Sequence, residues 1–200
     1  MRRTGQKLLK FDRKLDARFV AGTDEAGRGS LAGPLVVAGV LLDYACLREH
    51  RVRPLTYLND SKQVPPDQRD EPYRGVVACA ERIVVRVVPA DEIDRRGLHR
   101  SNLDAMRAIL HTLTPPAEAC LVDGDTKSAA IAAASIVAKV TRDRLMRRMD
   151  SLYPQYGFSS HVGYITPAHS KVVLAHGPCP IHRRSWRARC YAELERAQSA

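Results

Sequence analysis

The sequence predicts a mixed-sheet α/β domain with helices flanking the sheet and a smaller, helical, basic C-terminal lobe. Three observations carry this. Apolar β-branched runs of strand length are interleaved with segments of helical period. The first two runs, 19–23 and LVVAGVLL (35–42), are separated by a glycine-rich turn, so the sheet opens with a hairpin. Beyond Pro154 the chain reads as a glycine-rich loop followed by helices. With 200 residues, 44% of them hydrophobic and 27% charged, the chain can own a core without a disulfide staple and is not disordered throughout.

Taken in order, residues 1–18 mix cations with Asp12 and Asp16 and read as a basic, solvated, partly helical lead-in. The main α/β domain is expected over 19–153. The strand beginning at Phe19 runs into Asp24 and Glu25, and Gly27, Gly29, Gly33 and Pro34 turn it. LVVAGVLL is continuously apolar, as a strand buried on both faces is. The stretch 43–70 is a proline-punctuated loop, and a short helix is expected over 67–82. IVVRVVP (83–89) is a third strand ended by its proline, and DEIDRRG allows one helical turn. Residues 101–113 keep a helical period, with Ser101 or Asn102 as cap and Pro115–Pro116 as stop. ACLVDGD (119–125) is a short strand ending in acid, and 128–153 is the longest helix, alanine-rich where packing must be close. The lobe over 154–200 holds a loop at 157–163, a helix near 167–176 and a basic helix from about 185.

Lys and Arg total 32 against 22 Asp and Glu, a formal charge of +10 that favours a polyanionic partner, nucleic acid first. Five scattered cysteines without a C-x-x-C fit reduced thiols in a cytoplasmic protein and offer no zinc site. The N-terminus never reaches an apolar signal region, and the most apolar stretch, 31–42, is too short to span a bilayer. No membrane partner is expected, and a monomer is.

Six segments could carry chemistry. In T-D-E-A-G-R-G (23–29), adjacent carboxylates repel unless a cation sits between them, and their hard oxygens suit Mg²⁺ or Mn²⁺. Neighbouring strand residues face opposite ways, so both acids reach one ion only if the chain bends. A solvated acidic turn is the plainer alternative. Asp123 and Asp125 in L-V-D-G-D lie on one side of an extended chain, about 6–7 Å apart at Cα. Asp125 could instead cap the long helix. On that helix Ser135, Lys139, Arg142 and Asp143 share a face, where Lys139 and Arg142 could hold a phosphate with Asp143 as their ionic partner. Lys62 in N-D-S-K is a further phosphate contact or an ordinary surface lysine. Y-G-F-S-S-H-V-G-Y-I-T (156–166) sets aromatics among glycines, suited to stacking on sugar or base, or to a small core. H-R-R-S-W (182–186), with Arg183 and Arg184, reads as a phosphate-facing patch or a basic surface.

These segments, in this order and spacing, resemble the ribonuclease HII family over roughly 19–187: G-T-D-E-A-G-R-G, N-D-S-K, L-V-D-G, the I-A-A-A-S-I-V-A-K-V-T-R-D helix, G-Y-x-T and H-R-R-S-W. The resemblance implies an RNase H-like fold. It implies metal-dependent hydrolysis of the phosphodiester 5′ to a ribonucleotide, in RNA/DNA hybrid or at a single ribonucleotide in duplex DNA. Asp24, Glu25 and Asp123 match the family's metal-holding acids, and Asp125 takes the place of its fourth. Gly27, Arg28 and Gly29 match the loop that senses the 2′-hydroxyl, and Tyr164 the tyrosine that stacks on the ribose. Lys62, Ser135, Lys139, Arg183 and Arg184 fall in matching segments and are expected to bind substrate. One departure stands out. Family members carry a proline-rich loop between the last two acids, whereas here both collapse into D-G-D.

Overall fold

The computed structural model describes residues 4–47, 53–59, 61, 63–122 and 127–198. Among the described residues four strands form one sheet in the order β3-β2-β1-β4: β1 (Phe19–Ala26), β2 (Leu35–Asp43), β3 (Arg82–Val88) and β4 (Ala119–Val122). β1 and β2 pair antiparallel from Phe19↔Asp43 to Ala26↔Val36, which is the expected hairpin. β1 pairs parallel with β4, from Val20↔Ala119 to Thr23↔Val122, so the sheet is mixed as expected. All nine residues of β2 are buried, in keeping with its unbroken apolar run.

The helices are α1 (Gly5–Arg13), α2 (Asp70–Cys79), α3 (Ala90–Arg96), α4 (Leu98–Leu113), α5 (Ala129–Leu152), α6 (Phe158–His161), α7 (Pro167–His176) and α8 (Arg189–Gln198). The lead-in is not simply solvated. Leu8, Leu9 and Asp12 of α1 are buried, and the Asp12 carboxylate accepts from the Ala130 N–H (3.0 Å) and the Tyr44 hydroxyl (2.8 Å). α4 begins three residues before the expected cap. Gly97, at φ 82°, closes α3 and lets the next helix start at once, which leaves Ser101 and Asn102 buried inside α4. The cap of α5 is Ser128, whose hydroxyl accepts from the Ile131 N–H (3.3 Å), so the cap alternative for Asp125 is filled by another residue. The run Ala129 to Ala134 is buried throughout, small side chains at a tightly packed start of the helix. The loop at 157–163 contains a helical turn, α6, opened by Gly157 in the left-handed region.

Contacts gather the chain into two compact units that do not follow the sequential partition. One comprises Met1–Ala26, Val36–Arg86 and Asn102–Val140, the other Gly27–Leu35, Val87–Ser101 and Thr141–Ala200. The second unit has its own core, in which Leu31, Met146, Tyr156, Phe158 and Val173 are buried. Its claim on Gly27–Leu35 has a physical cause. Leu31 and Ala32 donate their N–H groups to the Gly163 carbonyl (2.9 and 3.1 Å), and Ser30 forms a β-bridge with Tyr164.

Candidate active site

In the first unit the strand end presents the acids. Asp24 and Glu25 lie opposite Ala38 and Val37 of β2, and both side chains are half-buried. The ladder runs unbroken to Ala26, and the first left-handed residue is Gly27, at φ 92°. The bend that would aim both carboxylates at one ion therefore comes after them, not between them. Just before them, Thr23 is buried and its hydroxyl has no hydrogen-bond partner among the described residues. Half-exposed carboxylates at a strand end are hard donors of the kind a divalent cation takes. β4 ends at Val122, and the next residue in sequence is Asp123. Asp123, Asp125 and Lys62 lie outside the described residues, and among those described no three His, Cys, Asp or Glu side chains converge on a metal position. The polar stripe of α5 divides. Ser135 is buried and donates to the Ser61 hydroxyl (2.9 Å), which places it in packing rather than on a phosphate-facing surface, while Lys139 is half-buried.

The second unit holds the glycine turn. Gly27 and Ser30 close a four-residue turn through the Ser30 N–H and Gly27 carbonyl (3.3 Å), with Arg28 and Gly29 exposed at its tip. The two glycines differ. A Cβ on Gly27 would collide with the Arg142 guanidinium, so the fold itself requires glycine there. A Cβ on Gly29 would meet nothing within 4 Å. Arg142 and Arg183, expected to face phosphates, are both completely buried. Their guanidinium groups donate to main-chain carbonyls instead: Arg142 to Ala32, Pro34 and Val162, Arg183 to Arg28 and Gly33. Burial, with the neighbouring Arg142 charge, pushes Arg183 down to about 10, and burial lowers Arg142 as well. Arg184 is exposed, and its N–H donates to Asp94 (2.8 Å), which also accepts from the Ser185 N–H (3.0 Å) and so anchors the H-R-R-S-W segment. Tyr156 and Phe158 stack in the core, with ring centroids 5.4 Å apart, leaving Tyr164 as the half-buried aromatic. Its ring lies 5.4 Å from the Arg142 guanidinium carbon.

Behind Tyr164 runs a chain of histidines. The Cys179 N–H donates to His182 Nδ1 (3.0 Å), His182 Nε2 lies 3.0 Å from His169 Nε2, and His169 Nδ1 lies 2.9 Å from the Tyr164 carbonyl. A carbonyl only accepts, so His169 carries its proton on Nδ1 and His182 on Nε2, and both rings are neutral. Burial lowers each to about 4. A neutral buried histidine binds fewer protons folded than unfolded, so stability is full above about pH 6.5 and falls as the pH drops toward 4. We expect the thermal midpoint to decline across that window, and the His169→Gln, His182→Gln double variant to flatten the decline. A midpoint in the parent protein constant from pH 7 to pH 4.5 would contradict the neutral assignment.

Sequence reasoning missed the inward turn of Arg142 and Arg183, the Asp94 anchor and the histidine chain. For Arg142 a cue existed, since its neighbours one helical turn away are the apolar Ala138 and Met146, both buried. Nothing in the sequence marks Asp94, whose partners lie some 90 residues away.

The ribonuclease HII family model matches residues 21–123 and 119–189, two segments that meet at the shortened D-G-D region. The chain is 42% identical to a ribonuclease HII of Geobacillus kaustophilus (strain HTA426), over 90% of this chain and 74% of the relative. It is 46% identical to one of Salinispora arenicola (strain CNS-205), over 84% and 67%. The crystal structure of ribonuclease H2 from Pyrococcus horikoshii OT3 superposes with a TM-score of 0.69 at 26% identity, covering 91% of this chain and all of that one. No helix among the described residues is long and apolar enough to cross a membrane. Sequence order, mixed sheet and family match agree: the chain belongs to the ribonuclease HII family, metal-dependent nucleases with ribonuclease H activity on RNA/DNA hybrids.

Proposed function

We propose that the protein is an endonuclease that cuts the phosphodiester 5′ to a ribonucleotide, both in RNA/DNA hybrids and at single ribonucleotides embedded in duplex DNA. It would leave 3′-hydroxyl and 5′-phosphate ends and serve the removal of ribonucleotides from DNA. The observation that carries this reading is Gly29. It is exposed, has no left-handed φ, and has open space where a side chain would be, so the fold does not require glycine there. A bare main chain at a turn tip, four residues after Glu25, suits close approach of a sugar whose 2′-hydroxyl is read by backbone amides. Tyr164, bridged to Ser30 of the same turn, supplies the ring face for that sugar. The +10 charge, with exposed Arg28 and Arg184 and with Lys62 and Lys139, holds phosphates without regard to sequence.

Asp24, Glu25 and Asp123 would hold a divalent ion, Mn²⁺ or Mg²⁺, with Asp125 as a fourth acid. When bound, the ion supplies water activation and charge neutralisation at the scissile phosphate. The carboxylates hold the ion, and the turn and Tyr164 hold the ribose. The free cysteines suit the reducing cytoplasm, where a monomer suffices for this chemistry.

The test is cleavage in Mg²⁺ or Mn²⁺ of three duplexes: an RNA/DNA hybrid, DNA with one ribonucleotide, and all DNA. Cutting of the first two, 5′ to the ribonucleotide, supports the reading. Binding without cutting, or equal cutting of the all-DNA duplex, overturns it. Within that assay Tyr164→Ala should reduce cleavage at a single ribonucleotide about tenfold or more while all-DNA affinity stays within about twofold, since one stacking contact is worth about 1–3 kcal/mol. Equal losses in both would make Tyr164 a packing residue.

A further inference from the structure

The tip of the glycine turn is held from behind by a buried cation. Arg183 Nη1 donates to the Arg28 carbonyl (3.1 Å) and Nε to the Gly33 carbonyl (3.0 Å). Arg142 holds the far side of the same segment through the Ala32 and Pro34 carbonyls, both at 3.0 Å. Neither arginine has any exposed surface, so neither can touch substrate. Desolvating a guanidinium costs several kcal/mol, and shaping a surface turn does not by itself call for two of them.

The geometry gives them a use. In a trans peptide the carbonyl and the following N–H point in opposite directions. With the Arg28 carbonyl drawn inward to Arg183, the Gly29 N–H is turned the other way. Gly29 is exposed, and among the described residues its N–H donates to no main-chain carbonyl. A cation on the carbonyl side also polarises the peptide and strengthens the N–H as a donor, because hydrogen bonds in a chain reinforce one another.

We propose that Arg183 is a positioning residue for ribose recognition, holding the Arg28–Gly29 peptide so that the Gly29 N–H is presented as the donor that distinguishes a 2′-hydroxyl from a 2′-deoxy sugar. This inference rests on the reading of the glycine turn as the ribose sensor. A lysine at 183 keeps the charge but lacks the planar fork that reaches two carbonyls at once.

The experiment compares the parent protein, Gly29→Ala and Arg183→Lys. Affinity for DNA with one ribonucleotide and for all-DNA duplex is measured in Ca²⁺, and single-turnover cleavage in Mg²⁺. Arg183→Lys is expected to lower the cleavage rate about tenfold, the equivalent of one hydrogen bond. It should also draw the ribo/deoxy affinity ratio toward one, with all-DNA affinity unchanged. If the parent shows no ribo preference, or Gly29→Ala keeps it, the sensor reading falls and the inference with it. If the parent prefers ribonucleotide and Gly29→Ala loses the preference while Arg183→Lys keeps ratio and rate, the sensor stands and the role of Arg183 is overturned. An equal loss on both duplexes also overturns it, since that marks a structural residue. Should Arg183→Lys not fold, hydrogen exchange at Arg183 Nε in the parent decides. It is expected to slow at least threefold more on the ribonucleotide-containing duplex than on all DNA, and equal slowing overturns the proposal.

Discussion

Replacing Asp24 by Asn is expected to lower single-turnover cleavage at an embedded ribonucleotide by about 10³-fold or more, with duplex affinity unchanged or raised. The substitution keeps the volume of the side chain and leaves the β1–β2 ladder intact, since Asp24 pairs with Ala38 through the main chain. What changes is one negative charge. An amide is a poorer ligand for a hard cation, so the reacting phosphate loses its counter-charge. Affinity has a separate origin, in the cations that meet the phosphates, and removing an acid from the path of a polyanion favours binding. Single-turnover rates in saturating Mg²⁺ and fluorescence anisotropy separate the two. Near-normal turnover would remove Asp24 from the mechanism.

The second large effect is expected at the D-G-D segment. Asp123→Ala should abolish metal-dependent cleavage, whereas Asp125→Ala should lower it about tenfold. Asp123 follows Val122, which β4 places in parallel register beside Thr23, the residue before Asp24. Asp125 is two residues further on in sequence, past Gly124. Helix stability provides the control. Ser128 caps α5 and Asp12 occupies the Ala130 N–H, so Ser128→Ala should cost about 1 kcal/mol and Asp125→Ala under about 0.5. Single-turnover rates, Mn²⁺ affinity and urea unfolding of the three variants test this. If Asp125→Ala is silent in rate and metal affinity, three acids suffice. If Asp123→Ala is silent, Asp123 does not hold the ion.

The sheet was legible because its signals are local. The unbroken β-branched run of β2, the glycines after the acids and the proline after β3 each state a strand or its end. The place of Asp24 and Glu25 at the end of β1 was legible for the same reason, as neighbours at the close of a strand-like run. What escaped depends on long-range pairing. Arg183 looks like a surface cation until the Arg28 and Gly33 carbonyls, about 150 residues away, are seen to receive it. Ser135 looks like a phosphate ligand until Ser61 claims it. α1 reads as solvated because the cations around Leu8 and Leu9 outweigh them in composition, though not in packing. Ser101 misled because a good cap residue also fits inside a helix when a left-handed glycine, here Gly97, supplies the break.

The Asp12 contact with α5 also sets an order of events during synthesis. Its partner amide, on Ala130, lies 118 residues later in the chain. At ribosomal speeds of about 5–20 residues per second, that interval is roughly 6–24 s. A nine-residue helix such as α1 is too short to persist alone in water. Through those seconds the Asp12 carboxylate lacks its Ala130 donor, while Tyr44 and the Thr56 and Leu58 carbonyls are already available to α1 and the residue before it. Arrival of Ala130 completes the Asp12 pairing, so codons that slow translation between α4 and α5 should lengthen the time for which that carboxylate is only half-partnered.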